Sequence, residues 1–422
     1  MRHRRLGSAR LAILTLALAA CGSGGTSGAP SVSATPAASV TPAATATPSP
    51  SEAPTPSPDG GAGLEPMLLL KPDALVSAYA TGVNAHGWIS IHYVEASGPM
   101  IVLAPDAGPD AGEAPVPGCP VGAAEPSCAR TDAEDLRVGE SDWYVGRIPR
   151  FLGSTTLSLP TAFGPGGEVV LLEPCCDGIE VSPVDVIPIP GPRFLGSVSA
   201  PDPAHPEDVE RRIAVPVLWR TPGDVREVLP TDGLELGAAA VAGDAGGRIA
   251  GEGRTGEDRN SRGIPVVWEP RGDAYALVRL PLLDGGTSGA ALAIDAGRIA
   301  GWSDGQSGRT AVVWEVAVDR DWNIDPLPMP EDFRMCTAVA VSGERVAGNC
   351  ALASLRERAV VWRRATDGWR IETLLDPPDG IDSAYASTMS GDLVVGVAGN
   401  VGGAGTAAGP VAWRLPREEA SP

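Results

Sequence analysis

Lysine is all but missing: Lys71 is the single one, and the other basic side chains are arginines. Basic residues number 32 against 52 acidic ones, a formal net charge of −20. A chain this acidic, with no basic stripe, repels phosphate backbones and anionic headgroups, which excludes nucleic acid as a partner. Histidine is scarce too, with only His3, His86, His92 and His205. There is no His-Glu-x-x-His and no phosphate-cradling glycine loop, and no catalytic residue, metal ligand or cofactor site is assigned. The most apolar stretch, Leu11 to Ala20, has ten residues. That is half of the roughly 20 needed to span a bilayer as a helix.

Glycine (53) and proline (42) are abundant, and 43% of the residues are hydrophobic. A core is affordable, and the turn formers favour short strands over long helices. The first twenty residues read as an export signal: Arg2, Arg4, Arg5 and Arg10, then the apolar LAILTLALAA, then a small-residue site. Its end, Leu18-Ala19-Ala20-Cys21, resembles the lipobox of bacterial lipoproteins. The resemblance implies cleavage before Cys21, acylation of its thiol and a lipid anchor in the bacterial cell membrane on the extracytoplasmic side. Four arginines leave with residues 1–20, so 28 basic residues remain against 52 acidic ones, a charge of −24. Residues 21–63 are the lipidated cysteine and a Ser/Thr/Ala/Pro-rich segment that can bury no core. As a flexible stalk it would reach roughly 35–40 Å.

From residue 64 onward the chain repeats itself. Gly289 to Val316 reads GAALAIDAGRIAGWSDGQSGRTAVVWEV, and Gly237 to Pro270, Thr337 to Arg363 and Ala384 to Arg414 follow the same plan. Taking Leu103, Leu172, Trp219, Trp268, Trp314, Trp362 and Trp413 as equivalent, the spacings are 69, 47, 49, 46, 48 and 51. The long first interval holds an insertion at about 105–134. Each unit parses into four short strands: an Ala-rich one, a second after a tight Asp-Ala-Gly turn, a third ending at the tryptophan, and a fourth running into Leu-Pro. Four-stranded units at this period are what a propeller blade requires, and the tryptophan is expected as core between blades.

The last unit stops at Arg414-Leu415-Pro416 without a fourth strand, while Pro66 to Lys71 (PMLLLK) stands alone at the start. The parallel between that segment and Thr373 to Asp376 (TLLD) predicts that the N-terminal strand completes the final unit. The expected fold is therefore all-β, a seven-bladed β-propeller over residues 64–416, closed by the N-terminal strand, with a disordered tail at 417–422. The units also resemble the HAF-type repeats of bacterial extracellular proteins, departing from them at the His-Ala-Phe position, where this chain has Arg309-Thr310-Ala311 and Arg358-Ala359-Val360. That resemblance implies an exported repeat protein of undefined activity.

Beside Cys21 there are six cysteines, an even number that suits disulfides in an exported chain. Cys336 and Cys350 are equidistant from the Gly343 turn, which places them opposite each other on antiparallel strands. Cys119 and Cys128 are expected to close a loop in the insertion; Cys175 and Cys176 are left unassigned. The loops between second and third strands should emerge on one face. They carry Arg254, Arg259, Arg309, Arg356 and Arg358 among acidic neighbours, the candidate binding face. The leading expectation is a monomeric binding or scaffolding module for an extracellular glycan or protein. The rival is a propeller glycosidase or lyase acting on a polysaccharide, which requires a carboxylate pair from different blades.

Overall fold

The structure is a computed structural model. It describes residues 64, 66–69, 78–93, 101–103, 134–138, 143–152, 155–164, 168–172, 183–205, 207–208, 212–256, 262–306, 308–317, 321–354, 356–399 and 409–416. The signal segment, Cys21, the linker, most of the 105–134 insertion with Cys119 and Cys128, Cys175, Cys176, Arg259 and the 417–422 tail lie outside the described residues. All the strands fall in one compact unit, Gly60–Pro422.

Every regular element among the described residues is a strand, and each sheet is antiparallel and, the seventh apart, built from consecutive segments. The first sheet joins Ala78–Val83, Ile89–Tyr93 and Ile101–Leu103. The second spans 134–171, the third 183–228, the fourth 238–279, the fifth 289–326 and the sixth 333–375, each with four strands. The seventh joins Ser383–Ser390, Leu393–Gly399 and Gly409–Arg414, with Met67–Leu68 as its outermost strand. Met67 stands opposite Ala412 and Leu68 opposite Val411. Six sheets of four strands and one of three, packed in succession, make a β-propeller arrangement.

The fifth sheet shows why this sequence folds so. Its strands are Gly289–Asp295, Arg298–Gly305, Gly308–Val316 and Trp322–Pro326. The first two are joined through Ala296 (φ 48°) and Gly297 (φ 81°). This pair of left-handed residues matches the twist of a tight hairpin, and Gly297 adopts it without steric cost. The first strand carries a bulge between Ala291 and Ala293, and the same irregularity recurs at Ala80/Gly82, Ala240/Ala242, Ala338/Ala340 and Ala386/Thr388.

Trp314 on the third strand is fully buried, as are Trp219, Trp268, Trp362 and Trp413. Its ring needs the bare Gly301 beneath it: a Cβ there would meet the Ala290 carbonyl and come within 2.9 Å of the ring. Gly251 and Gly348 stand in the same relation to Trp268 and Trp362. The indole then reaches the preceding sheet. Trp268 Nε1 donates to the Pro230 carbonyl, Trp314 to Pro281, Trp362 to Pro328 and Trp413 to Asp376, at 2.7–2.8 Å. Each acceptor follows the leucine that ends the previous unit, so the Leu-Pro ending is a latch from sheet to sheet.

The core is correspondingly spread between neighbouring sheets. Val145, Ala162 and Leu172 meet Phe194, Val217 and Trp219; Ala250 and Val267 meet Ile299, Val312 and Trp314. Leu393, Val395 and Ala412 of the seventh sheet pack with Ala78, Ala80, Ile89 and Ile91 of the first. The first sheet touches the second through Val138, whose N–H donates to Ser90 Oγ at 3.3 Å.

Candidate functional site

In the fourth and fifth sheets the hairpin between second and third strands lies beside the connector arriving from the sheet before. The Arg254 N–H donates to the Gly237 carbonyl at 2.9 Å, and the Asp304 N–H to the Ser288 carbonyl at 2.8 Å. Side chains from hairpin and connector therefore share one end of the sheets. On the fourth sheet, Glu252 pairs with Arg254 at 3.6 Å. Burial pushes the Glu252 carboxyl above its ordinary value, opposed by the Arg254 charge and hydrogen bond and by the Arg309 charge.

On the fifth sheet, the Arg309 guanidinium lies over the Trp302 ring, 4.0 Å from its centroid. That is a cation–π stack with the planar group of a half-buried arginine. Ser288 Oγ hydrogen-bonds Asp304 in the same corner. On the sixth sheet, burial raises the Glu357 carboxyl while the Arg309 charge lowers it. Arg356 pairs with Asp382 of the next connector at 3.5 Å. Arg358 buries its Nη1 without a hydrogen-bond partner. Tyr385 of the seventh sheet is pushed up to about 12 by burial first and then by the Glu357 and Asp382 charges. On the third sheet, His205 Nδ1 sits 3.0 Å from the buried Asp202 carboxylate, which also accepts from the Ala204 N–H at 2.9 Å.

Of the five arginines singled out in the sequence, Arg254, Arg309, Arg356 and Arg358 all belong to this end of the sheets, and Arg259 lies outside the described residues. Glu252, Trp302 and Tyr385 had no motif to mark them. Glu252 and Trp302 each follow the repeat glycine by one position, where the unit is variable, and a bulky or charged residue in that slot is the signal that could have found them. The arrangement alternates guanidinium donors with carboxylate acceptors around one half-buried aromatic stack. Such a surface suits recognition through directed hydrogen bonds.

Cys336 and Cys350 face each other in register and are joined by a disulfide, with their Cα atoms 4.1 Å apart. Both are buried between the fifth and sixth sheets. Among the described residues, no group of three or more His, Cys, Asp or Glu side chains could hold a metal ion. No helix among them is long and apolar enough to cross a membrane.

No family model matches the chain, and no curated protein does. Solved structures resemble it in fold. A puromycin-hydrolysing peptidase of Mycobacterium tuberculosis is similar at 16% identity and a TM-score of 0.49, over 83% of this chain and 54% of that one. The β-propeller domain of the Trilobed protease from Pyrococcus furiosus is similar at 14% identity and a TM-score of 0.37, over 75% and 82%. A Pyrococcus horikoshii acylaminoacyl peptidase is similar at 10% identity and a TM-score of 0.47, over 81% and 53%. The chain spans about half the length of the first of these. The likeness is to peptidase propeller domains, at low identity.

Proposed function

We propose that this chain is a lipid-anchored, extracytoplasmic binding module. Residues 1–20 direct export, Cys21 carries the acyl chains that hold the protein to the bacterial cell membrane, and 22–63 form the stalk. Residues 64–416 form a seven-bladed ring in which the three-stranded 78–103 sheet is the remaining blade and Met67–Leu68 closes the circle. Two observations support closure: the pairing of Met67–Leu68 with Gly409–Arg414, and the packing of the first sheet on the seventh. We read the repeats as HAF-like, the protein as a monomer, and Cys119–Cys128 as a disulfide within the insertion.

The binding face is the end of the sheets that carries Arg254, Arg309, Arg356 and Arg358. The observation that carries this reading is the Arg309–Trp302 stack set between the half-buried Glu252 and Glu357. Its partner is an extracellular glycan or protein, and the test is a binding screen on the full chain against cell-wall polymers and secreted proteins. Loss of wild-type binding in Arg254→Gln or Arg309→Gln supports the face; undiminished binding refutes it. The anchor is tested separately, because Cys21→Ser must release the protein from membranes and lower its mass by the acyl chains.

One observation favours a second reading, an enzyme acting on a polysaccharide. Glu252 and Glu357 come from different sheets, and burial raises both carboxyls above their ordinary value, the direction a general acid needs. Hydrolysis or elimination abolished by both Glu252→Gln and Glu357→Gln would establish it. Absence of turnover on the polymer that binds would leave the binding module.

A further inference from the structure

We infer that the cleft between the fifth and sixth sheets, at the end just described, captures the free carboxylate that ends a peptide whose last side chain is apolar. The inference rests on the binding reading above and names the ligand of that face.

Side chains alternate across a strand, so residues two apart share a face. Arg309 shares its face with Ala311 and Val313, and Arg358 with Val360 and Trp362. Those four apolar residues belong to one core cluster between the two sheets. The two arginines therefore stand on the facing sides of a single cleft. Arg309 is already laid flat on Trp302, which fixes its plane. Arg358 buries Nη1 with no acceptor in reach. A buried charged donor without a partner is costly, and a bound acceptor oxygen would remove that cost. The Cys336–Cys350 disulfide floors the cleft, Cys350 standing directly opposite Arg358.

Beyond the disulfide, strand Phe333–Ser342 runs on past the length of its counterparts and opens a depression of about 520 Å³. Asp332, Phe333, Arg334, Leu352, Ala353 and Ser354 line it, and Phe333 packs on the same core cluster. Leu352 is two residues from Cys350, roughly 7 Å along the strand. An open depression in which Phe333 and Leu352 offer apolar surface thus lies about two residues along the strand from Arg358, matching a terminal carboxylate and the side chain next to it.

Charge selects a single anionic group. The chain carries −20, and Glu252 and Glu357 both act on Arg309, so a polyanion would be repelled where one carboxylate is held. Arginine grips a carboxylate with two parallel hydrogen bonds.

The test uses the full chain, immobilised, and two pools of random hexapeptides, one as free acids and one as C-terminal amides. Galacturonate oligomers form a third arm. The expected result is retention of free acids at least about ten-fold over amides, with Leu, Ile, Val or Phe enriched at the last position, and a loss of about ten-fold or more in Arg358→Gln. Leu352→Asp, which leaves both arginines intact, should abolish the apolar preference while the free-acid preference survives. Unchanged melting of each variant separates lost recognition from lost fold. Equal retention of acids and amides, or full binding by Arg358→Gln, overturns the inference. Retention of galacturonate in place of peptides overturns it while leaving the binding face standing. Failure of all three arms, together with no hit in the polymer screen, removes the binding reading itself.

Discussion

The Leu69 N–H donates to the Pro410 carbonyl at 3.1 Å, joining the start of the folded unit to its last strand. The same bond recurs inside other units: Leu172 to Pro160, Leu229 to Pro216, Leu280 to Pro265 and Leu327 to Ala311, at 2.9–3.0 Å. Leu69 thus occupies the position that the terminal leucine of a fourth strand holds elsewhere, and it is buried. Leu69→Ala should cost about 2–4 kcal/mol, measured by chemical denaturation, because it empties a buried site between first and seventh sheets. A loss as small as that of a surface substitution would place Leu69 outside the core.

The indole latch makes its own prediction. Trp314→Phe keeps an aromatic ring but removes the bond to the Pro281 carbonyl, leaving that acceptor unsatisfied and a small void. A destabilisation of about 2–3 kcal/mol is expected. Trp362→Phe, which loses the bond to Pro328, should behave alike, and a marked difference between them would contradict a shared role.

The repeat glycine answers to the same ring from below. Gly301→Ala puts a methyl against the Ala290 carbonyl and the Trp314 ring, so overpacking of about 2–3 kcal/mol is expected. The Gly272→Ala control faces open space on an outer turn, where positive φ rather than contact sets a smaller penalty. Melting of the two variants decides the order.

Glu252 supplies a pH signature. Its folded carboxyl is raised above the model-peptide value by burial, so ionisation opposes folding. The stability linked to the neutral form is complete below about pH 4.5 and is lost as pH rises through the raised value. Glu252→Gln should match wild type in acid and become relatively more stable toward neutrality. A variant that loses ground as pH rises would reverse the sign.

The Cys336–Cys350 disulfide closes a hairpin 14 residues apart. Cys336→Ser/Cys350→Ser is expected to lower stability by up to about 3 kcal/mol, the chain-entropy figure for such a loop. The part already fixed by strand pairing reduces it. Reductant should shift the denaturation midpoint of wild type more than that of the double variant.

The architecture was legible because it is repeated. Trp219, Trp268, Trp314, Trp362 and Trp413 recur at one period and are all buried, and the last four hydrogen-bond the end of the preceding unit. The proposed binding end was legible only in outline. Arginines in the hairpins marked that end, but the unpaired Nη1 of Arg358, the stack of Arg309 on Trp302 and the burial of Glu357 depend on which way a strand faces and how neighbouring sheets abut. The stack joins two variable slots of one unit and the others arise between units, so none leaves a motif. The Cys336–Cys350 pair was an exception because both partners lie in one hairpin whose register the Gly343 turn dictates.

Ring closure is tested most directly by cross-linking positions 67 and 412, which stand opposite each other as Cα partners. The Met67→Cys/Ala412→Cys variant, oxidised and digested, should yield a peptide linking the two positions and a higher melting temperature than its reduced form. Recovery of those two thiols unlinked, with reductant leaving the melting temperature unchanged, would contradict a ring joined end to start.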